Sequence, residues 1–176
     1  MIKRTSIIFF AFLICQTAFS QITETVEKKP VNEIKFNFIP ILREFFPEIN
    51  YEHINSKKIG LGLAAGVSLK DYDVHNFQEK FRIMPYIRPY FGANSDFSFF
   101  FEANFIISGI KKMDFYVQNE IGTYIPRNTV YSGFGFAYGA KYQISNKFFV
   151  EVFLGCGFYF NEYVYPRVGV SVGKQF

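Results

Sequence analysis

Apolar and polar residues alternate along most of the chain, in runs separated by short polar or glycine-rich segments. Strict alternation is typical of strands that present one face to an apolar environment and the other to a polar one. Eight such runs follow residue 30, and each is close to the length that a tilted strand needs to cross a bilayer. They predict strands at 32–42, 48–54, 59–69, 81–91, 97–108, 130–144, 148–160 and 164–176.

The connections between these strands alternate in length. Those at 55–58, 92–96 and 145–147 are short and rich in turn-forming residues, whereas those at 70–80 and 109–129 are long. This alternation favours an antiparallel meander with both termini at the short-turn end, which is the plan of outer-membrane barrels. The predicted fold class is therefore all-β, an eight-stranded antiparallel up-and-down transmembrane β-barrel of the outer-membrane type.

The two faces of the predicted strands differ in character. One face is almost entirely aliphatic or aromatic, and the other carries the strand charges and columns of Gly, Ala and Ser, as at 60–68 and 133–139. An Arg or Lys facing lipid near the midplane would cost about 2–4 kcal/mol, so we assign the charged face to the lumen. The predicted lumen network comprises Glu33, Lys35, Glu52, Arg82, Arg88, Glu102, Lys141, Glu151 and Arg167.

Charges of both signs inside a narrow barrel are expected to pair, because an isolated buried charge carries a heavy desolvation penalty. An eight-stranded barrel is only just wide enough for its side chains to fill it. We therefore predict a lumen that is filled and conducts nothing. The alternative is a narrow or gated pore.

Two segments depart from the regular scheme. Pro85 and Pro89 interrupt the fourth strand, and each lacks a donor for the ladder, so the strand either bulges there or forms a weak seam. A weak seam would be a lateral opening for an apolar ligand. Residues 115–125 either add two strands or extend the fifth and sixth above the membrane, and the parity of Phe115 and Val117 favours extension.

The start of the chain has the form of a secretory signal peptide. Lys3 and Arg4 precede a short apolar stretch, and small residues follow at Ala18 and Ser20. A lipoprotein signal ending at Cys15 is the alternative, but the bulky Ile14 before it disfavours that. The predicted organisation is a signal peptide at 1–20, a polar lead at 21–30 and a barrel domain at 31–176.

Composition narrows the class further. Aromatic residues make up 21% of the chain and charged residues 19%, and mean hydropathy is +0.08 without long apolar runs in the mature part. Two of the 19 Lys and Arg lie within residues 1–20, which leaves 17 against 15 Asp and Glu. No basic stripe suited to nucleic acid is present. The mature chain keeps one cysteine, Cys156, which excludes a disulfide framework.

Candidate catalytic chemistry is sparse. Ser68 lies near Asp73 and His75 in the sequence and is the place to look for an acyl-transfer site, whereas His53 belongs to the opposite end of the barrel. Asp71 and Asp73 are too few for a convincing Ca²⁺ site. We predict no enzyme activity, no cofactor and no metal.

The chain ends in an alternating run with an aromatic last residue, "VGVSVGKQF". This resembles the closing-strand signal by which outer-membrane barrels are recognised by their insertion machinery, and it makes Phe176 the predicted membrane-insertion signal. The last strand must pair with the first to close the barrel, since a lipid-exposed edge would leave backbone groups unpaired.

Four blocks of the sequence resemble the domain-of-unknown-function family numbered 3575: "NEIKFNFIPILREFFPEINYEHI", "MPYIRPYFG", "FGFAYGAKYQISNKFFVEVFLGCGFYF" and "YPRVGVSVGKQF". Pro89 departs from the family pattern, which more usually has an aromatic residue there. The resemblance implies a small secreted outer-membrane barrel and assigns no catalytic or binding residue. The residues that match in order include Glu52, Arg88, Glu151, Pro166 and Arg167.

Together these features predict a monomeric outer-membrane protein with a structural or adhesive role. Its expected partners are outer-membrane lipid and the barrel-insertion machinery, with the loops at 70–80 and 109–129 as contact surfaces for an unidentified partner. A small channel and a lipid-modifying outer-membrane enzyme are the alternatives, followed by a soluble ligand-binding barrel.

Overall fold

The computed structural model describes residues 29–70, 78–92, 96–118, 121–161 and 163–176. The predicted signal peptide and most of the polar lead lie outside these residues. Eight antiparallel strands form a closed barrel in sequence order, which confirms the predicted fold class. The strands are β1 (Val31–Asn37), β2 (Glu48–Ile54), β3 (Ile59–Val67), β4 (Gln78–Phe91), β5 (Phe97–Gln118), β6 (Ile121–Gln143), β7 (Phe148–Tyr159) and β8 (Val164–Gln175).

The first strand is shorter than the alternation predicts. It ends at Asn37, and a helix, α1 (Phe38–Glu44), replaces the predicted strand at 38–42. The Asn37 side chain accepts a hydrogen bond from the Ile39 amide at 3.3 Å and so caps the helix. Pro40 fits the first turn of a helix, where no amide donor is needed. Phe45 ends the helix in the left-handed conformation with φ 50°.

The short first strand leaves an uneven seam with β8. The β1–β8 ladder runs from Glu33↔Gln175 to Asn37↔Ser171, and Asn32 exchanges two backbone hydrogen bonds with Phe176. Beyond Ser171, residues 164–170 of β8 pair with β7 on one side but with no described strand on the other. Helix α1 packs against β8 at this position, so a helix completes the wall where the first strand has ended.

The fourth strand keeps one register past both prolines. Its ladder with β3 is continuous from Ile59↔Pro89 to Val67↔Phe81. The ladder with β5 keeps its register but lacks the pairs at 84–85 and 88–89, as expected where proline has no amide donor. The strand therefore does not bulge at the prolines, but its ladder to β5 is interrupted beside both of them, and a lateral opening at this seam stays a prediction. A bulge lies elsewhere, between Glu79 and Phe81.

The fifth and sixth strands form a long hairpin, which confirms the predicted extension over two additional strands. They pair without a shift from Phe97↔Tyr142 to Gln118↔Ile121. The ladder from β4 reaches only Lys111, and that from β7 reaches only Gly133. The hairpin therefore projects beyond its neighbours at the end where the connections are long.

The two faces of the barrel are divided as the alternation predicts. Large apolar side chains are exposed on the outside of every strand, and charged, polar and small residues face inward together with a set of buried rings and aliphatic side chains that includes Met84, Phe100 and Ile106. Glycines on the inner face make room for rings, since a Cβ at Gly62 would lie 2.2 Å from Cζ of Tyr86 and one at Gly169 would lie 2.1 Å from Cζ of Phe153. Among the described residues, no helix is long and apolar enough to cross a membrane.

Candidate functional site

Charged side chains fill the lumen along its length. All nine residues that the sequence predicts for the lumen face inward, and eight of them are buried; Arg82 is the exception, with 13% of its side chain exposed. Two further carboxylates join them, Glu48 on β2 and Glu79 on β4. The described lumen therefore holds six carboxylates and five cations.

Arg88 lies at the centre of this network. Its Nη2 atom is 2.5 Å and its Nε atom 2.8 Å from Oε2 of Glu102. Its Nη1 atom donates to Glu151 Oε1 at 3.1 Å and to Glu52 Oε2 at 3.4 Å. The three carboxylates come from β2, β5 and β7, so one guanidinium ties β4 to three other strands across the barrel.

We call the end of the barrel with the long connections the loop side, and the end with the short turns the turn side. Towards the loop side, the network continues through the guanidinium of Arg167. Arg167 donates from Nε to Glu102 at 3.0 Å and from Nη1 to Glu48 at 2.8 Å. Glu48 also accepts from Arg82 at 3.1 Å, and Arg82 forms a further ion pair with Glu79. Each carboxylate in this part thus lies beside a cation from another strand or across the bulge.

The turn side of the network is built on two lysines. Lys35 forms ion pairs with Glu52 and, at 3.0 Å, with Glu151, and its ammonium lies 3.4 Å from Glu33. Glu33 in turn forms an ion pair with Lys141. The charges therefore alternate in sign through the lumen, in the order Lys141, Glu33, Lys35, Glu52 and Glu151, Arg88, Glu102, Arg167, Glu48, Arg82, Glu79.

Aromatic rings occupy the space between the ion pairs. The Arg88 guanidinium lies 4.4 Å from the ring centre of Tyr86 and 4.3 Å from that of Phe100. The Lys141 ammonium lies 4.1 Å from the ring of Phe149. Tyr90 donates from its hydroxyl to Glu52 at 2.8 Å. The rings cover the ion pairs and lie over the cation faces that the carboxylates leave open. Within the described residues, Arg167 Nη2 and Glu33 Oε2 are buried without a hydrogen-bond partner.

A phenylalanine closes the loop-side end of the network. Phe46, just after α1, is 1% exposed and packs against Arg82, whose guanidinium is 5.2 Å from the ring centre. A Cβ at Gly66 would lie 2.2 Å from the Phe46 ring, so the absence of a side chain there makes the room. Phe46, which lies between the first two predicted strands, thus supplies an apolar stopper.

The arrangement joins strands and leaves no described lumen carboxylate without a neighbouring cation. A buried cation that is already paired with several carboxylates does not readily bind a permeating ion. Moving the cation aside would leave those carboxylates buried without a compensating charge. The chemistry that this geometry supports is cross-linking of the barrel wall and closure of the lumen.

The structure describes only some of the residues that the sequence suggested for catalysis or metal binding. Ser68 donates from Oγ to the carbonyl of Lys70 at 2.9 Å, while Asp71, Asp73 and His75 lie outside the described residues. His53 is exposed, with Nδ1 2.8 Å from Asn32 Oδ1. No group of three or more potential metal ligands comes together within the described part of the chain.

The barrel is similar in structure to two crystallised proteins. One is the N-terminal β-barrel domain of Pseudomonas aeruginosa OprF, with a TM-score of 0.54 and 16% sequence identity over 85% of this chain and 98% of that one. The other is Neisserial surface protein A (NspA), with a TM-score of 0.48 and 10% identity over 83% of this chain and 94% of that one.

No protein-family model matches the sequence, and no curated protein matches it significantly. The resemblance to the family numbered 3575 stays a prediction. The likeness to the OprF domain, together with the closed strand order, shows that the chain has the fold of a small eight-stranded antiparallel barrel of the outer-membrane type.

Proposed function

We propose that the protein is a structural barrel of the outer membrane with a permanently filled lumen. Its location is supported by the fold and by the apolar outer face, on which residues such as Leu61, Phe136 and Leu154 are about half exposed or more. Heat-modifiable migration of outer-membrane fractions on gels tests the location. Recovery of the mature protein in the aqueous fraction without detergent would contradict it.

The observation that carries the filled lumen is the unbroken sequence of ion pairs around Arg88 and Glu151, both of which are buried. A lumen held closed in this way conducts no ions. Purified protein in planar bilayers should give no reproducible conductance steps. Channels that appear with the wild-type protein and vanish when Arg88 or Glu151 is replaced would establish the alternative, a small gated pore.

The projecting part of the β5–β6 hairpin supports an adhesive component of this role. Residues 112–118 pair with 121–127, and neither range pairs with a further described strand, so they extend past the rest of the barrel at the loop end. Replacing residues 113–126 with a two-residue turn should keep the barrel and its heat-modifiable migration. Adhesion of cells displaying the shortened protein should then fall, and equal adhesion would count against a contact role.

A lipid-modifying enzyme remains the alternative from a different functional class. The structure offers one observation on the residues considered for it: Ser68 Oγ accepts a hydrogen bond from Gln78 Nε2 at 3.3 Å while donating to the Lys70 carbonyl. The hydroxyl is therefore engaged within its own hairpin. A changed lipid A or phospholipid profile on gene deletion, restored by the wild type and not by Ser68→Ala, would favour the enzyme.

A further inference from the structure

The turn-side end of the barrel contains a cavity of about 450 Å³, which we call the turn-side vestibule. It lies on the side of the lumen network where Lys141 ends the alternating charges, and Tyr90, Lys141 and Gln175 belong to its lining. A cavity of this size is in the range of small-molecule sites. The vestibule is separate from the ion pairs around Arg88 that give the barrel its proposed structural role.

The charges around the vestibule favour an anion. Among its described lining residues, three lysines stand against a single carboxylate, that of Asp96. The lysines are Lys29, Lys58 and Lys141, and Lys141 is already paired with Glu33. Lys29 and Lys58 therefore supply the positive charge that faces an incoming molecule.

The backbone at Lys58 is unusual for a lysine. Its φ is 59°, in the left-handed region that glycine and asparagine adopt with less strain. The turn is held by Asn55, whose Oδ1 accepts from the amides of Lys57 at 3.0 Å and Ile59 at 2.9 Å. A residue better suited to the turn would lack the ammonium that Lys58 adds to the vestibule. Strain kept at one position in this way points to a role for the side chain.

The remaining lining matches a hydroxylated molecule. Gln143 and Gln175 donate to each other, at 3.3 and 3.2 Å, and their Nε2 atoms also donate to the carbonyl of Ser145 and to Glu33, each at 2.7 Å. Their amide donors are thus engaged, and each amide oxygen keeps a lone pair that can accept from a hydroxyl group beside the vestibule. Tyr90 and Phe91 add ring surface to the same lining. Amides next to rings suit the hydroxyl groups and the C–H face of a sugar, whereas a bare inorganic anion would use only the lysines.

We propose that the turn-side vestibule binds a small anionic sugar, with Lys58 and Lys29 holding its phosphate or carboxylate and the amide oxygens of Gln143 and Gln175 accepting hydrogen bonds from its hydroxyl groups. The site ends blindly, because the lumen beyond Lys141 holds six carboxylates against four cations and repels a further anion. The vestibule is thus a binding site and no part of a conduction path.

Calorimetric titration of the full mature protein in lipid nanodiscs tests this, with glucose 6-phosphate, glucuronate, inorganic phosphate and glucose as separate probes. We expect at least one anionic sugar to bind more tightly than phosphate or glucose, with an affinity that falls as salt is added. The ratio between glucose 6-phosphate and glucuronate shows which acidic group the site takes. Equal affinity for glucose and both anions, or no binding of either anion, would overturn the proposal.

Two variants in the same turn separate binding from folding. Lys58→Gly removes the ammonium and suits the left-handed backbone, so the barrel should remain folded while affinity falls about tenfold or more. Lys57→Gln changes a neighbouring exposed lysine outside the vestibule lining and should bind as the wild type does. Unchanged affinity in Lys58→Gly, with normal heat-modifiable migration, would refute the role of Lys58 and with it the site.

Discussion

At the scale of single residues, the lumen shows how a buried charge is kept without a large penalty. Glu102 accepts from Arg88 on one side and from Arg167 on the other, and Asn104 donates to its Oε1 atom at 2.9 Å. Its two oxygens are thus both engaged by charged or polar donors. The stability of such a group depends on every partner being present, because the loss of one leaves the others buried and uncompensated.

Replacing Glu102 with Gln should therefore destabilise the barrel strongly. The change leaves two buried guanidiniums facing a neutral amide, for which we expect a loss of about 3–5 kcal/mol in the free energy of unfolding. Urea unfolding in lipid vesicles measures it. The same change at the exposed Glu44 in α1 should cost less than about 1 kcal/mol. Similar losses at both positions would show that the ion pairs add little to stability.

Alternation in the sequence predicts most of the charged lumen residues but not all of them. Alternation alone placed Arg88, Glu102 and their companions on the inner face, because every second residue of a strand faces the same way. Glu48 shares the parity of Glu52 and begins the predicted second strand, so the same rule would have found it. Alternation does not predict that Glu79 faces inward. The bulge between Glu79 and Phe81 breaks the alternation, so Glu79 and Arg82 face the same side although they are three residues apart.

At the scale of elements, α1 shows where alternation misleads. The stretch from Phe38 to Leu42 continues the apolar pattern of β1, yet it lies in a helix that Asn37 caps and that has Pro40 in its first turn. The short run contains no complete helical period that would distinguish it from a strand. Alternation does not predict the inward direction of Phe46 either, because this residue lies between the first two predicted strands and its direction depends on the turn at Phe45 that ends the helix.

Two adjacent phenylalanines test the stopper. Phe46→Ala removes a fully buried ring below Arg82 and should lower the free energy of unfolding by about 3–5 kcal/mol. Phe45→Ala removes a ring that is 51% exposed and should have a much smaller effect. Thermal gel-shift midpoints in matched vesicles compare them. A larger effect at Phe45 would contradict the assignment of Phe46 as the residue that closes the loop-side end.

The last residue of the chain is expected to act during assembly. Phe176 exchanges two backbone hydrogen bonds with Asn32, at 3.0 and 3.2 Å, and so belongs to the seam that closes the barrel. Deleting Phe176 should reduce the amount of folded protein in the membrane far more than deleting Gln21. Pulse-labelled membrane fractions measure both yields. Equal yields would remove the proposed role of Phe176 as the insertion signal.

At the scale of the whole molecule, the apolar belt and the charged interior follow from one alternating pattern closed into a cylinder. The single cysteine of the predicted mature chain can be used to test whether the apolar outer face contacts lipid. Cys156 is exposed on β7, where it pairs with Phe136 and Pro166 on the neighbouring strands. Its position lies well inside the strand, away from the short turns.

A fluorescent label on Cys156 should therefore contact lipid. In reconstituted vesicles we expect nitroxide-bearing lipids to quench it and aqueous iodide to leave it bright. A label placed by Lys57→Cys in a Cys156→Ser background lies in a short turn and should show the opposite pattern. Strong iodide quenching at Cys156 in vesicles would argue that the apolar face is not embedded.

The alternating order of charges in the lumen also constrains how this protein can vary. Most interior members of the order face two or more partners of opposite sign, so a change of sign at one position creates several like-charged contacts at once. Neutral drift through single substitutions is therefore blocked along the axis of the barrel. Exchanges of acid for base should occur as concerted pairs on different strands, and a designer who wishes to retune the interior must redesign it as a unit.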